Sequence, residues 1–153
     1  MPPSDALERV TVVGAGTAGR GIARTFAATG YDVTLTDADE AALPVALERL
    51  AEEVRGLEPE EADALLERIG TTTDPEAAFA DADLVVEVAS GDADRTRDAL
   101  AAADEVAPEN AVLATDSGTV SITDLAAATD RPGRVVGMRF SRPVGSTNAV
   151  EVV

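Results

Sequence analysis

The chain contains no cysteine, no histidine and no tryptophan, and all 12 of its basic residues are arginine, because lysine is also absent. Lack of cysteine excludes disulfides and thiol chemistry. Lack of histidine removes the side chain whose protonation lies nearest neutrality, the usual choice for a general base. Aromatic residues are scarce at 3%, while hydrophobic residues make up 45%, so the core must be aliphatic, built from Ala, Val and Leu. No apolar run approaches the length of a membrane span, and the opening MPPSDALERV has no apolar core of the kind a signal peptide carries. The expectation is a soluble, cytoplasmic protein with no membrane partner.

Positive charge is in short supply as well. Against the 12 arginines stand 29 acidic residues, a formal net charge of -17. Such a surface repels nucleic acid, whose phosphates reward clustered cations. Self-repulsion on this scale is relieved by salt, which reads as the acidic surface of a halophile's protein. Acidity that serves only solubility is the alternative, and full folding in dilute buffer would favour it.

What is present is an alternation of strands and helices. At 153 residues the chain is one domain by length, with a polar tail over residues 1–8 and a single folded unit over 9–153. RVTVVG reads as a buried strand, TAGRGIARTFAAT as a helix over 17–29 with Gly30 at its C-terminal cap, and YDVTLTD as a second strand ending at Asp37. The Ala- and Glu-rich run from about 38 to 68 reads as helix divided at Gly56 and Pro59, with Pro44 as a candidate kink. DLVVEVA (83–89) and AVLAT (111–115) are further strands separated by the helical DADRTRDALAAADEV. SITDLAAAT is a short helix opened by a capping-box pattern at Ser121 and Asp124, RVVGMRF is a strand, and VEVV is a short closing strand. Strands alternating with helices predict a mostly parallel, doubly wound α/β sheet.

The first strand and helix are joined by VTVVGAGTAGRG, that is Gly14-x-Gly16-x-x-Gly19. Between a strand and a helix this spacing has a mechanism: Gly14 permits the tight turn, Gly16 lets backbone approach a pyrophosphate, and Gly19 lets helix pack close to strand. The helix N-terminus then faces the anion. Asp37, about twenty residues on at the end of the second strand, is placed to accept hydrogen bonds from a ribose. A carboxylate there favours NAD over NADP, and residues 38–42 offer no arginine for a 2′-phosphate.

The glycine turn, the segments TTTD, ADLVVEVA and VLATDSGTVSITDLAAATDRPGRVVGMRF, and the final VEVV together resemble the NAD-binding domain of 3-hydroxyacyl-CoA dehydrogenases, from about Arg9 to Val153. The resemblance implies a Rossmann-type fold and NAD contacts at Gly14, Ala15, Gly16, Thr17, Ala18, Gly19, Asp37 and Ala89. It implies oxidation of the 3-hydroxyl of an acyl-CoA, with a histidine taking the hydroxyl proton and a glutamate orienting that histidine. It also implies a helical domain that completes the acyl pocket and the dimer. This chain stops at Val153 without one, so the expectation is a truncated single domain, served by a separate acyl-binding chain or by a homodimer through the VEVV edge.

The resemblance departs at the catalytic positions. Where the family reads His-Phe-Phe-Asn-Pro-Val, this chain has Arg139, Phe140, Ser141, Arg142, Pro143 and Val144. Where the family reads Asn-Thr-Ser-Ser, this chain has Asp116, Ser117, Gly118 and Thr119, so the substrate-contacting hydroxyl falls on Gly118. The family's glutamate and lysine near the cofactor fall on Gly91 and Thr96, with Arg95 and Arg97 flanking the latter as substitutes. The orienting glutamate alone is kept, as Glu151. Arginine stays protonated and cannot accept a proton, so efficient turnover by the family's route is not expected. For Arg139 and Arg142 three roles stay open: an ion pair with Glu151, an anion-binding pair, or two solvated surface charges. Three functions follow: a dehydrogenase of 3-hydroxyacyl-CoA, a non-catalytic NAD-binding module, or an oxidoreductase for another, anionic hydroxy compound.

Overall fold

The computed structural model describes residues 7–88, 92–118, 120–141, 144 and 150–153. Seven strands form one sheet in the order β3-β2-β1-β4-β5-β6-β7. They are β1 (Arg9–Val13), β2 (Asp32–Thr36), β3 (Ile69–Thr72), β4 (Leu84–Glu87), β5 (Val112–Thr115), β6 (Val135–Phe140) and β7 (Val150–Val152). All neighbouring pairs are parallel except β6 with β7, where Arg139 stands opposite Glu151. This is the doubly wound Rossmann-type sheet that the alternation predicts, with one antiparallel strand added at the edge.

The period of two along each strand explains why helices cover both faces. Val10, Val12, Leu84, Val86 and Ala114 point to one core, shared with α1 (Thr17–Ala28), α2 (Ala42–Glu53) and α3 (Pro59–Glu67). Val85, Leu113 and Val135 point to the other, shared with α4 (Pro75–Phe79), α5 (Ala93–Val106) and α6 (Ile122–Ala127). Strands buried on both faces read as near-continuous apolar runs, as LVV of β4 does here before Glu87.

Three elements escape the sequence reading, among them a single 3₁₀ turn over Pro132–Arg134, whose arginine the sequence reading gives to the following strand. β3 (IGTT) and α4 (PEAAF) are too short and too weakly patterned for periodicity to register. α4 is nevertheless well specified locally: Asp74 accepts from the Glu76 N–H as N-cap, and Pro75 takes the first helical position. Pro44 does not interrupt α2. It lies in the first turn, where an N–H would have no intrahelical partner to lose. The other local signals take the expected form: Gly30 has φ +104° just past α1, and the Ser121 hydroxyl accepts from the Asp124 N–H at 3.3 Å.

Charge is left largely uncompensated by this architecture. Most ion pairs are exposed, such as Arg9 with Asp81 at 3.8 Å and Arg49 with Glu52 at 3.9 Å, and pairs of that kind contribute little. With a net charge of -17, the thermal midpoint followed by circular dichroism is expected to rise by several degrees from dilute buffer to molar KCl. A midpoint indifferent to salt would remove self-repulsion as a factor in stability.

Candidate nucleotide-binding site

The strand order reverses between β1 and β4, and doubly wound sheets open a crevice beyond the carboxyl ends of the strands at such a point. A cleft of about 1150 Å³ lies there, lined by the glycine turn, by Asp37 to Asp39 after β2, by Arg95 and Ala99 on α5, and by Asp116 to Gly118 after β5.

The three glycines do three separable things. Gly14 has φ +117°, which a side chain rarely tolerates, and its N–H donates to the Thr36 carbonyl at 2.8 Å. A Cβ on Gly19 would lie 1.6 Å from the Gly14 carbonyl oxygen, so α1 approaches the turn at a distance only glycine permits. A Cβ on Gly16 would meet no protein atom within 4 Å, yet Gly16 lines the cleft. Its bare backbone is therefore unexplained by packing and leaves open a space that a ligand can use. Gly16 is also the N-cap of α1, with no side-chain cap and no acid in the first turn, whereas Asp74, Asp92 and Ser121 cap α4, α5 and α6. The free N–H groups and positive end of α1 suit a phosphate.

Asp37 is held in place by the same turn. Its Oδ2 accepts from the Ala15 N–H at 2.8 Å and its Oδ1 from the Asp39 N–H at 2.8 Å, which leaves lone pairs on both oxygens. The carboxylate thus braces the glycine turn in addition to facing the cleft. Asp37→Ala is expected to weaken NAD binding about 10- to 100-fold by calorimetry. Equal affinity in the variant would remove the ribose role.

The far wall is the loop after β5, and a buried network fixes it. Glu87 is fully buried at the end of β4, and its Oε2 accepts from the Thr115 hydroxyl at 2.7 Å. The same hydroxyl accepts from the Ser117 N–H at 3.0 Å, and Asp116 Oδ1 accepts from the Phe140 N–H at 3.1 Å. Loop, β4 and β6 are thereby tied together. Phe140 also stacks edge-on against Phe26 of α1, with centroids 6.2 Å apart. No sequence signal singled out Glu87, because a glutamate inside an apolar run declares itself only when the neighbouring strand supplies a partner.

Arg139 does not form an ion pair with Glu151, one of the three roles left open for it. Although it faces Glu151 in the β6–β7 register, no hydrogen bond or salt bridge joins the two side chains, and Glu151 is exposed. The Arg139 guanidinium instead lies over Gly118: a Cβ there would be 3.3 Å from Nη1 and 3.5 Å from Cζ. Of the two arginines flanking Thr96, Arg95 lines the cleft while Arg97 pairs with Asp94 at 3.0 Å. Thr96 itself is buried, with its hydroxyl unpartnered. Ala89, Gly91, Thr119 and Arg142 lie outside the described residues. No cluster of potential metal ligands occurs among the described residues.

Residues 9–153 match the family model described as 3-hydroxyacyl-CoA dehydrogenase, NAD binding domain. The chain belongs to the 3-hydroxyacyl-CoA dehydrogenase family, in its NAD-binding domain. It is 33% identical to a 3-hydroxybutyryl-CoA dehydrogenase of Clostridioides difficile, over 95% of this chain and 53% of the relative. It is 38% identical to the 3-hydroxyadipyl-CoA dehydrogenase of Escherichia coli, over 96% of this chain and 32% of that one. The crystal structure of 3-hydroxybutyryl-CoA dehydrogenase from Escherichia coli superposes with a TM-score of 0.90 at 34% identity, covering 96% of this chain and 32% of the other. The chain therefore spans about half the length, or less, of the 3-hydroxyacyl-CoA dehydrogenases it matches. The cofactor of the domain is NAD, and the bare Gly16 backbone at an uncapped helix end fits its pyrophosphate.

Proposed function

We propose that this chain binds NAD across the cleft and lacks the proton-accepting group that the dehydrogenases of its family use. Gly14, Ala15, Gly16, Thr17, Ala18 and Gly19 would hold the pyrophosphate on backbone N–H groups, and Asp37 the adenosine ribose. When bound, NAD supplies the hydride acceptor for an alcohol oxidation. Ala89 follows β4 in sequence and completes the proposed contacts, while Arg95, on the cleft wall, takes the part that the resemblance gives to a lysine.

The observation that carries the second half is the guanidinium over Gly118. The resemblance puts a histidine at 139 and a serine at 118; here a cationic group stands against a bare glycine. A protonated guanidinium donates hydrogen bonds and accepts no proton, so it cannot assist loss of the alcohol proton. Glu151, without its expected partner, is left exposed on an edge strand. A non-catalytic NAD-binding module is accordingly the preferred reading over a 3-hydroxyacyl-CoA dehydrogenase completed by a separate acyl-binding chain.

The test is NADH absorbance at high salt with NAD and 3-hydroxybutyryl-CoA, beside calorimetry with NAD alone. NAD binding without NADH formation is expected. Steady NADH production by the unaltered chain would overturn the non-catalytic reading, and absence of NAD binding would overturn the whole. Arg139→His returns a base to the position opposite Glu151 and is expected to raise any background rate by about 10².

A further inference from the structure

We infer that Arg139 is the binding group of a subsite bordering this cleft at Gly118 for the carboxylate of a small free acid, in place of the neutral thioester carbonyl of an acyl-CoA. Three observations lead there.

First, this chain leaves few arginine side chains without a partner. It has 29 acidic residues, and arginines 9, 20, 24, 49, 68, 97 and 131 all have a carboxylate within 4 Å, while Arg134 donates to the Asn110 carbonyl. Among the described residues, only Arg55, Arg95 and Arg139 have no ion pair or side-chain hydrogen bond, and Arg139 is the half-buried one. Its charge stays uncompensated even with Glu151 opposite it in strand register. A partly desolvated, unpaired cation attracts an incoming anion far more strongly than a solvated one.

Second, the guanidinium has one edge closed and one open. Nε is buried without an acceptor, whereas Nη1 and Nη2 are not among the buried, unpartnered atoms. What remains is a flat pair of donors, the edge that matches the two oxygens of a carboxylate.

Third, the group is positioned. Gly118, which lines the cleft, makes room for it: a Cβ there would approach Nη1 to 3.3 Å. The bond from Phe140 N–H to Asp116 Oδ1 holds the next residue of β6 against the same loop. Position 118 and position 139 therefore act as a matched pair.

The subsite rests on the proposed function only in bordering its cleft at Gly118, and the two are read by different signals. Uniformly ¹⁵N-labelled chain would be titrated with 3-hydroxybutyrate and, separately, with 3-hydroxybutyramide at fixed ionic strength, following the Nε–H resonance assigned by its loss in Arg139→Gln. A saturable shift with the acid is expected, at least about tenfold tighter than with the amide. That shift should vanish in Gly118→Ser, which crowds the guanidinium, and persist in Arg55→Gln. An equal response to the amide, to chloride or to inorganic phosphate would overturn the assignment, as would no response in a sample that binds NAD by calorimetry. A carboxylate response without NAD binding would leave the subsite standing and remove the nucleotide reading.

Discussion

Gly19→Ala is expected to destabilise the fold by about 3 kcal/mol or more and to abolish NAD binding, the reverse of what the same exchange does in an ordinary helix. Alanine is normally favoured over glycine inside a helix by about 1 kcal/mol. Here the added Cβ would lie 1.6 Å from the Gly14 carbonyl oxygen, a collision between two backbone segments that no rotamer change relieves. Overpacking costs about 1–3 kcal/mol when side chains can adjust, and this contact offers no such adjustment. Relief requires α1 to withdraw from β1, which opens the turn that Gly14 and Asp37 hold together. Gly16→Ala is the matched control. Its Cβ meets nothing within 4 Å and its φ of -75° suits any residue, so the thermal midpoint should not change. NAD affinity should still fall about tenfold or more, because the methyl enters the cleft. A Gly16→Ala chain that binds NAD normally would show that the pyrophosphate does not approach this backbone.

Arg131→Ala is expected to cost about 3–5 kcal/mol, the loss typical of breaking a buried charge pair from one side. Arg131 Nε donates to Asp104 at 2.7 Å, and both side chains are nearly buried, at 11% and 10% exposure. Its two other nitrogens donate to the carbonyls of Asp104, Ala107, Pro108 and Ala111. One guanidinium thus closes the C-terminus of α5 and pins the connection that leads into β5. It supplies acceptor-seeking charge where the helix leaves carbonyls unpaired. Removal takes a donor from the carbonyls of Asp104, Ala107 and Ala111 and from Asp104 Oδ1, while Asp104 Oδ2 keeps the Asp130 N–H and the Pro108 carbonyl keeps the Ala111 N–H. Arg131→Lys should recover little, since one ammonium cannot span five acceptors in a planar fan. Thermal and urea unfolding measure both variants. Near-native stability in Arg131→Lys would show that charge alone, without the planar geometry, suffices.

The doubly wound fold was legible because its signals are local. Gly14-x-Gly16-x-x-Gly19 between a β-branched run and an amphipathic helix, then Asp37 at the next strand end, specifies a turn, a helix end and a carboxylate within one short stretch of chain. β3 and α4 were not legible, because IGTT and PEAAF are too short to show a period and are held by neighbours distant in sequence. Arg131 was missed for the same reason. Its acceptors lie 20 to 27 residues away, and nothing near it in sequence distinguishes it from the other arginines.

Sequence alone determined the fold class, the NAD-type turn and the presence of an arginine at 139, where the resemblance implies a histidine, since each depends on residue identity at fixed spacing. Only the tertiary structure decided what Arg139 does with its charge. Strand register sets it opposite Glu151, which favours an ion pair on paper. A guanidinium on a long side chain goes where space allows, and the space is over Gly118, in the loop after the neighbouring strand β5. Which way such a side chain turns depends on an atom missing from a residue twenty-one positions away, and no reading of local pattern contains that.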